Sequence, residues 1–309
     1  MKILITGGAG CLGSNLVEKF LPEGHKLLVI DNFATGKREV VPPFDGLQVI
    51  EGSVADENLV YQCFREFSPS LVIHSAASYN NPRNWREDSL TNIIGSINVA
   101  KAAEKVGVKK IINFQTALCF GKPKQIPIPS DHPLQPFSSY GISKTAGEQY
   151  LINSDLPVVS LRLANVTGPR LAIGPIPTFY QRLKAGKPCF CSDSRRDFLD
   201  MEDFFSIIDI LISSEVSAGV FNVSTGESQS IMDVFNSVSS YLGIESKEPS
   251  IVPVGDDDVP ELVLCPQETT KILGWKAKVG FEQTIHRMLA WYDEHGVTAI
   301  HSHLDNRRN

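Results

Sequence analysis

The sequence predicts an α/β fold: a doubly wound parallel sheet, followed by a smaller α/β domain. Three observations predict it. Short, nearly continuous apolar runs alternate with amphipathic segments as far as Leu163, the pattern of parallel strands covered on both faces. A glycine-rich turn, Gly7-Gly8-Ala9-Gly10-Cys11-Leu12-Gly13, directly follows the first run. The second run ends in an acid, Asp31, 18 residues past Gly13.

Along the chain, Lys2–Thr6 is β-rich and stops at glycine, and 14–20 has helical spacing with Leu16 and Phe20 four apart. Lys26–Asp31 and Leu47–Glu51 read as strands, 58–67 as a helix and 70–75 as a strand. The stretch 89–106 is rich in alanine and free of proline, which predicts one long helix. Then come a strand at 110–115, a helix at 141–152 and a strand at 157–163. After Leu163 the pairs Gly168-Pro169, Gly174-Pro175 and Ile176-Pro177 break regular structure, and helices return at 231–242 and 282–294. We therefore expect a first domain over 1–165 plus about 197–223, and a smaller substrate domain over 166–196 and 224–309. Residues 302–309 are polar and expected to fray.

Composition narrows the function. The chain has 309 residues, 42% hydrophobic and 21% charged, which is ordinary for a soluble globular protein. A chain this long buries about three quarters of its unfolded surface and needs no disulfide or metal to hold a core. A net charge of −6 argues against general nucleic-acid or anionic-membrane binding, while leaving room for a local basic pocket. There is no run of ~20 apolar residues, and the opening MKILITGGAG does not read as a signal peptide. The six cysteines form no CxxC pair, as expected of free thiols in a reducing cytoplasm. Cys189-x-Cys191 has the wrong spacing for a zinc knuckle and reads as packing. No metal site is expected.

The glycine turn has the spacing of a Rossmann-type dinucleotide fingerprint. Gly7 permits the tight turn, Gly10 lets backbone approach a pyrophosphate, and Gly13 lets the next helix pack close to the sheet. The positive helix end then faces the phosphates. Asp31 stands where a carboxylate binds adenosine ribose hydroxyls, and it repels a 2′-phosphate, so NAD is expected over NADP. Lys37 and Arg38 lie just beyond; a phosphate contact is open to them, though a solvated loop is the simpler reading.

Tyr140-Gly141-Ile142-Ser143-Lys144 places tyrosine and lysine four apart at a helix start, on one face. A free tyrosine titrates near 10 and is a poor base at neutral pH. A nearby ammonium and a positive nicotinamide would favour phenolate; a fall of ~2–3 units corresponds to roughly 3–4 kcal/mol. Alone, this motif arises by chance, with tyrosine as packing and lysine as surface. Downstream of a dinucleotide fingerprint, chance explains it poorly.

With these motifs together, the chain resembles the extended short-chain dehydrogenase/reductases, in the NAD-dependent nucleotide-sugar epimerase/dehydratase family. The resemblance covers nearly the whole length. It includes TGGAGCLGS at 6–14, Asp31-Asn32, HSAAS at 74–78, Asn92 before Gly95, and QTALCFG at 115–121. It continues through YGISK at 140–144, LRLANVTGPR at 161–170, RRDFLDMED at 195–203, FNVSTGE at 221–227 and LGW at 273–275. Within the family it is most similar to members that epimerise at C4 and to bacterial surface-polysaccharide sugar epimerases.

The resemblance implies roles residue by residue. Tyr140 is the catalytic acid/base, Lys144 its partner, and Thr116 the hydroxyl that bonds the reacting sugar. Gly7, Gly10, Cys11, Leu12 and Gly13 hold the pyrophosphate; Asp31 and Asn32 lie at the adenosine ribose. Ser53 and Val54 match the segment beside adenine, and Ala76 and Ala77 the wall beside the cofactor. Asn165 and Arg196 match residues that bind the nucleotide-sugar phosphates, and Phe190 falls in the segment that covers the nucleobase. The resemblance also implies a cytoplasmic homodimer pairing through helices near 89–106 and 141–152. Several positions depart from the family. Ser53 stands where an acid is usual, and Phe120 where the motif has tyrosine. Residues 188–196 are short and lack the GDG turn. No arginine lies at 252–256, and the loop 78–85 (SYNNPRNW) is unusual.

The residues just after Thr116 divide the family. Dehydratases carry an Asp-Glu pair there, UDP-glucuronate decarboxylases a Glu at position 118, and GDP-fucose-type synthases a Cys at 118. Here the chain has Ala117 and Leu118, with Cys119 one place late. Tyrosine, lysine, threonine and NAD remain, which suffice for C4 epimerisation of a UDP-sugar: proton to Tyr140, hydride to NAD, rotation of the 4-keto sugar, return to the other face. The alternatives are a nucleotide-sugar dehydratase or oxidoreductase of the same family, and a non-catalytic NAD-sensing protein. The last would be expected to lack the Tyr/Lys pair.

Overall fold

The computed structural model describes residues 1–79, 83–245, 248–255 and 258–297. Parts of the segments 78–85 and 252–256, and all of 302–309, lie outside the described residues.

The first half alternates as its sequence does: β1 (Lys2–Thr6), α1 (Cys11–Phe20), β2 (Lys26–Asp31), β3 (Leu47–Glu51), α2 (Glu57–Phe67) and β4 (Leu71–His74). A one-turn helix α3 (Trp85–Asp88) then leads through a π-helical stretch, Ser89–Ile94, into α4 (Gly95–Val106). After these come β5 (Lys110–Thr116), a 3₁₀ turn at Ala117–Phe120, α5 (Ser139–Ile152) and β6 (Val158–Leu163). In the second half, β7 (Asn165–Thr167), α6 (Pro175–Lys184), β8 (Phe190–Ser192), β9 (Arg195–Arg196), β10 (Phe198–Asp200) and α7 (Met201–Ser213) precede β11 (Gly219–Val223). The chain goes on through β12 (Gln229–Ser230), α8 (Ile231–Leu242), β13 (Ser250–Val252), β14 (Glu261–Leu262), α9 (Gln267–Leu273) and α10 (Phe281–His295).

Seven strands form one sheet in the order β11-β6-β5-β4-β1-β2-β3. The pairs β1–β2, β1–β4, β2–β3 and β4–β5 are parallel. The order reverses between β1 and β4, where a doubly wound sheet opens a crevice at its carboxyl ends. Leu4, Leu28, Val72 and Ile111 point to one face, where Phe64 of α2, Val99 and Ala103 of α4 and Leu151 of α5 cover them. Ile3 and Ile5, on the other face by strand alternation, are also fully buried.

The long helix expected over 89–106 begins as a π-helix. The π-helical carbonyl Asn92 O accepts from Ser96 Oγ at 2.7 Å, and α5 approaches it so closely that a Cβ added to Gly147 would lie 2.2 Å away. Periodicity does not report such contacts.

The chain divides into two compact units: residues 1–121, 134–162 and 213–221, and residues 122–133, 163–212 and 222–309. The stretch 197–223, expected whole in the first domain, is split. Most of α7 groups with the second unit, where Asp203 carboxylate oxygens accept from Lys278 N and Val279 N, and Trp275 Nε1 donates to Ser206 Oγ. The second unit has its own core, with Phe179 of α6, Val234 and Phe235 of α8, and Ile285, Leu289 and Tyr292 of α10.

One buried relay ties the crevice strands to α4. Thr6 Oγ1 accepts from Ala76 N and lies 2.7 Å from His74 Nδ1; His74 Nε2 lies 3.0 Å from Ser96 Oγ, which donates to Asn92 O. Ser96 Oγ, donating to Asn92 O, leaves Nε2–H to donate to it, and Thr6 can donate to Nδ1, which suits a neutral imidazole. Burial, with the Lys144 charge adding, holds the His74 pKa down to about 3. Between pH 6.5 and 3 the unfolded chain therefore takes up a proton that the folded chain refuses, and stability falls as pH drops through that window. Urea unfolding at pH 4 to 6.5 should show this fall. In His74→Gln the slope should be shallower, by at most about 1.4 kcal/mol per pH unit; an unchanged slope would refute the assignment.

Candidate active site

The carboxyl end of β1 runs into backbone crowding that only glycine fits. Gly7 has φ of +67°, and a Cβ there would lie 2.7 Å from Ala76 N and Cα in the segment after β4. A Cβ on Gly13 would lie 2.3 Å from Gly7 O. The first turn of α1 is therefore drawn tight under the loop, and no side chain caps the helix at Gly10. Asp31 closes the arrangement at the end of β2. Its Oδ2 accepts from Ala9 N at 2.8 Å and its Oδ1 from Phe33 N at 2.8 Å. Burial pushes this carboxyl upward while the two amides pull it down. Each oxygen keeps acceptor capacity, as a ribose diol needs. The cradle, the open helix end and the acid fit a dinucleotide.

The other expected cofactor residues lie in the same unit. Ala76 and Ala77 come after β4, with Ala76 N held by Thr6. Ser53 Oγ accepts from Ala55 N. Val54 is 3% exposed, with its side chain in the core over Gly95 and its carbonyl accepting from Asn98 Nδ2. Asn32 is exposed and caps its own turn through Ala34 N. Arg38 lies over the Phe33 ring at 5.2 Å and 3.9 Å from Glu51, an exposed surface arrangement.

The residues expected to react lie at the end of β5 and the start of α5. Thr116 ends β5 and caps the 3₁₀ turn, its Oγ1 accepting from Leu118 N. That turn abuts the first turn of α5: a Cβ on Gly141 would lie 2.9 Å from Leu118 O. Tyr140 and Lys144 project one turn apart on α5, and Gln115 Nε2 donates to Lys144 O at 2.9 Å. Lys144 is 5% exposed; burial lowers its ammonium to about 8, with Glu148 opposing. Burial, then the Tyr79 and Asp88 charges, push the Tyr140 phenol above the ordinary value. Cys119 is fully buried and its thiol is pushed up to about 12, so it is no proton donor near neutral pH.

Sequence reasoning missed two supports. Glu148 accepts from Ser160 Oγ at 2.6 Å and pairs with Arg162 at 3.1 Å, both buried, and the Arg162 guanidinium lies over the Phe120 ring at 5.0 Å. This locks α5 to β6 and to the turn behind Thr116. The second support is Tyr79, whose ring meets the Tyr140 ring edge to face at 5.9 Å between centroids. Its place in the unusual loop after the HSAAS motif was the only signal.

Asn165, Phe190 and Arg196 lie in the second unit. Asn165, exposed on β7, donates through Nδ2 to Asp197 O. Phe190 opens β8, with the Arg182 guanidinium 5.8 Å from its ring centre. Arg196 on β9 is engaged by Asp258 at 2.6 Å and by Val259 O. Cys191 is buried with Sγ toward Ile231 O, and Cys189 Sγ points to Lys187 O. Among the described residues no cluster of three or more His, Cys, Asp or Glu is arranged for a metal, and no helix is long and apolar enough to cross a membrane.

A dinucleotide cradle on a doubly wound sheet, with threonine, tyrosine and lysine converging beside it, defines a short-chain dehydrogenase/reductase type of enzyme. Residues 3–224 match the NAD dependent epimerase/dehydratase family, and the chain belongs to it; its cofactor is NAD. The chain is similar to the Bordetella bronchiseptica enzyme WbmG in complex with NAD, at 64% identity and TM-score 0.94, covering 98% of this chain and 97% of that one. WbmG is also known with NAD and UDP. A Thermotoga maritima UDP-glucose 4-epimerase with UDP-glucose is 29% identical, with TM-score 0.87 over 95% of this chain and 99% of its own. The UDP-glucose 4-epimerase of Mycolicibacterium smegmatis is 27% identical over 94% of this chain and 98% of its own length.

Gly13→Ala should weaken NAD retention by roughly ten- to hundredfold, the effect of about 1–3 kcal/mol of overpacking at the cradle. NAD content of the purified protein, read by absorbance after release, checks this. Full retention would show that the crowding at Gly7 O is not what shapes the site.

Proposed function

We infer that the protein is an NAD-dependent epimerase of a nucleotide sugar, acting at C4 of a UDP-sugar. The observation that carries this reading is the make-up of the turn after Thr116. The 3₁₀ turn supplies Ala117, Leu118 and buried Cys119, and no carboxylate. Chemistry that removes a proton from a carbon beside a keto group needs a base there. With none, the reaction is confined to one carbon bearing a hydroxyl and a hydrogen.

Bound NAD supplies reversible acceptance of hydride. The chain's own residues do the rest. Tyr140 Oη takes the hydroxyl proton and later returns it. Its phenol is pushed up by burial in the protein alone, so a positive charge must be brought near it for phenolate to form. Lys144 supplies one such charge from the same helix face, and Glu148 holds it in the ammonium form. Thr116 Oγ1 orients the sugar hydroxyl. The roles of Asn165, Phe190 and Arg196 toward the uridine diphosphate, and of Gly7 through Ala77 toward NAD, are part of the same proposal. The similarity to enzymes known with UDP and with UDP-glucose supports a uridine nucleotide. Expected products are precursors of surface polysaccharide or other glycans.

The reading includes a homodimer. Ile94, Ile142 and Tyr150 are 40%, 49% and 56% exposed in the region of α4 and α5 where pairing is expected. It also includes the cytoplasm, whose reducing conditions suit six free cysteines. Sedimentation should give twice 34.0 kDa, and Ile142→Glu should shift it toward one chain; a wild-type monomer would remove the dimer from the proposal.

Proton NMR in D₂O with NAD tests the activity on UDP-glucose, UDP-N-acetylglucosamine and UDP-glucuronate. A 4-epimer without deuterium is the expected product. Deuterium in the product or a stable keto sugar would mean enolisation and a dehydratase or other oxidoreductase instead. Tyr140→Phe should lose at least about a hundredfold in turnover while remaining folded; near-normal turnover would sink the assignment.

A further inference from the structure

Asp88 is 1% exposed, on the one-turn helix α3. A buried carboxylate is costly unless its oxygens are satisfied. Both are, each by a serine that directly precedes a tyrosine. Oδ1 accepts from Ser78 Oγ at 2.9 Å, and Oδ2 from Ser139 Oγ at 2.5 Å. Ser78 leads into Tyr79 and Ser139 into Tyr140, the two rings in edge-to-face contact at 5.9 Å. One carboxylate thus grips both chain segments that place the pair. Asn92 braces the same segments. It accepts from Ser78 N and donates to Ser78 O and to Ser143 Oγ, and Ser143 Oγ donates to Tyr140 O.

We propose that Asp88 is a positioning residue for proton transfer: through Ser78 and Ser139 it fixes the Tyr79–Tyr140 pair and keeps a carboxylate beside it. The proposal rests on the reading of Tyr140 as the acid/base. The groups facing Tyr140 are Tyr79 on the loop after β4 and Asp88 on α3, both of which raise its phenol; burial raises it further. Lys144 lies one turn on along α5, opposed in its own burial by Glu148. Asp88 is the carboxylate that acts on Tyr140, while Glu148 acts on Lys144, so the removal and the neutralisation of Asp88 have different effects. Asparagine can keep both serine bonds, its amide donating to one hydroxyl and its carbonyl accepting from the other, while losing the charge. Alanine loses both.

In the holoenzyme, phenolate absorbance at 295 nm, taken as the difference from Tyr140→Phe, reports the titration of Tyr140 without turnover. Asp88→Asn should lower that titration by about one unit and shift the acidic limb of kcat/KM with it. It should keep kcat within about threefold, whereas Asp88→Ala should lose roughly ten- to a hundredfold in kcat with little change in KM, the effect of a misplaced reacting group. If no UDP-sugar is turned over, the functional reading fails, yet the absorbance titration still decides on Asp88. If Asp88→Ala does not fold, Asp88→Asn decides alone. A merely structural Asp88 would lower the melting temperature of Asp88→Asn and leave both the titration and the pH profile at wild type, and that result overturns the proposal.

Discussion

Close backbone approach between the turn after β1 and the segment after β4 is the constraint on which the rest depends. The order of the sheet reverses between these strands, so their carboxyl ends diverge into a crevice. Gly7 lets the two segments nearly touch, and Gly13 draws α1 beneath them. A side chain at either place would push the loop outward and blunt the crevice. The same approach puts Thr6 within reach of both Ala76 and His74. From there the relay passes through Ser96 to Asn92, and Asn92 reaches the first turn of α5. Cradle and catalytic helix are thus joined by a chain of fully satisfied buried groups, the kind of network that fixes one arrangement.

That joining explains why so polar a region is buried. Lys144, Asp88, Asn92, His74 and Glu148 are each 5% exposed or less. Isolated, such groups would neutralise or destabilise the fold. Here Asp88, Asn92, His74 and Glu148 each have hydrogen-bond partners, and burial lowers the proton affinity of His74 and of Lys144. Burial lowers the lysine to about 8 and raises the tyrosine above its normal range. Burial makes Tyr140 sensitive to added charge, because in a medium of low polarisability a nearby cation acts strongly. A protein whose phenol were already ionised would take protons whether or not cofactor and sugar were in place.

Legibility in the sequence tracked the reach of each interaction. β2 is found where its apolar run places it, because a strand buried on both faces must be apolar throughout, whereas β3, at the sheet edge, is half exposed and was legible only from its short mostly apolar run. The glycine spacing and the Tyr/Lys pair are local patterns with direct geometric meaning, and the fold sets them at one crevice edge. The π-helical start of α4 was invisible: the α5 residue that approaches Asn92 O lies about fifty residues away in sequence. Asp88 was passed over for the same reason: as a letter it is one more acid before a helix, and only Ser78 and Ser139 give it meaning. The split of 197–223 arises from Trp275 and Lys278, which no pattern near α7 announces.

The turn after Thr116 limits how much chemistry the site can host. Ala117, Cys119 and Phe120 are buried, and Phe120 carries the Arg162 guanidinium that Glu148 holds. A carboxylate introduced at 117 or 119 would have to enter a core already balanced around one ion pair, at a cost that unpaired buried charge makes prohibitive. Position 118 alone is half open, and leucine fills it. Packing therefore disfavours a carboxylate at 117 and 119, and at the half-open 118 it is the leucine itself that supplies none. One proton-transfer group and one hydride acceptor can oxidise and re-reduce a single carbinol carbon. They cannot also move protons at a neighbouring carbon, which agrees with the chain's similarity to UDP-glucose 4-epimerases.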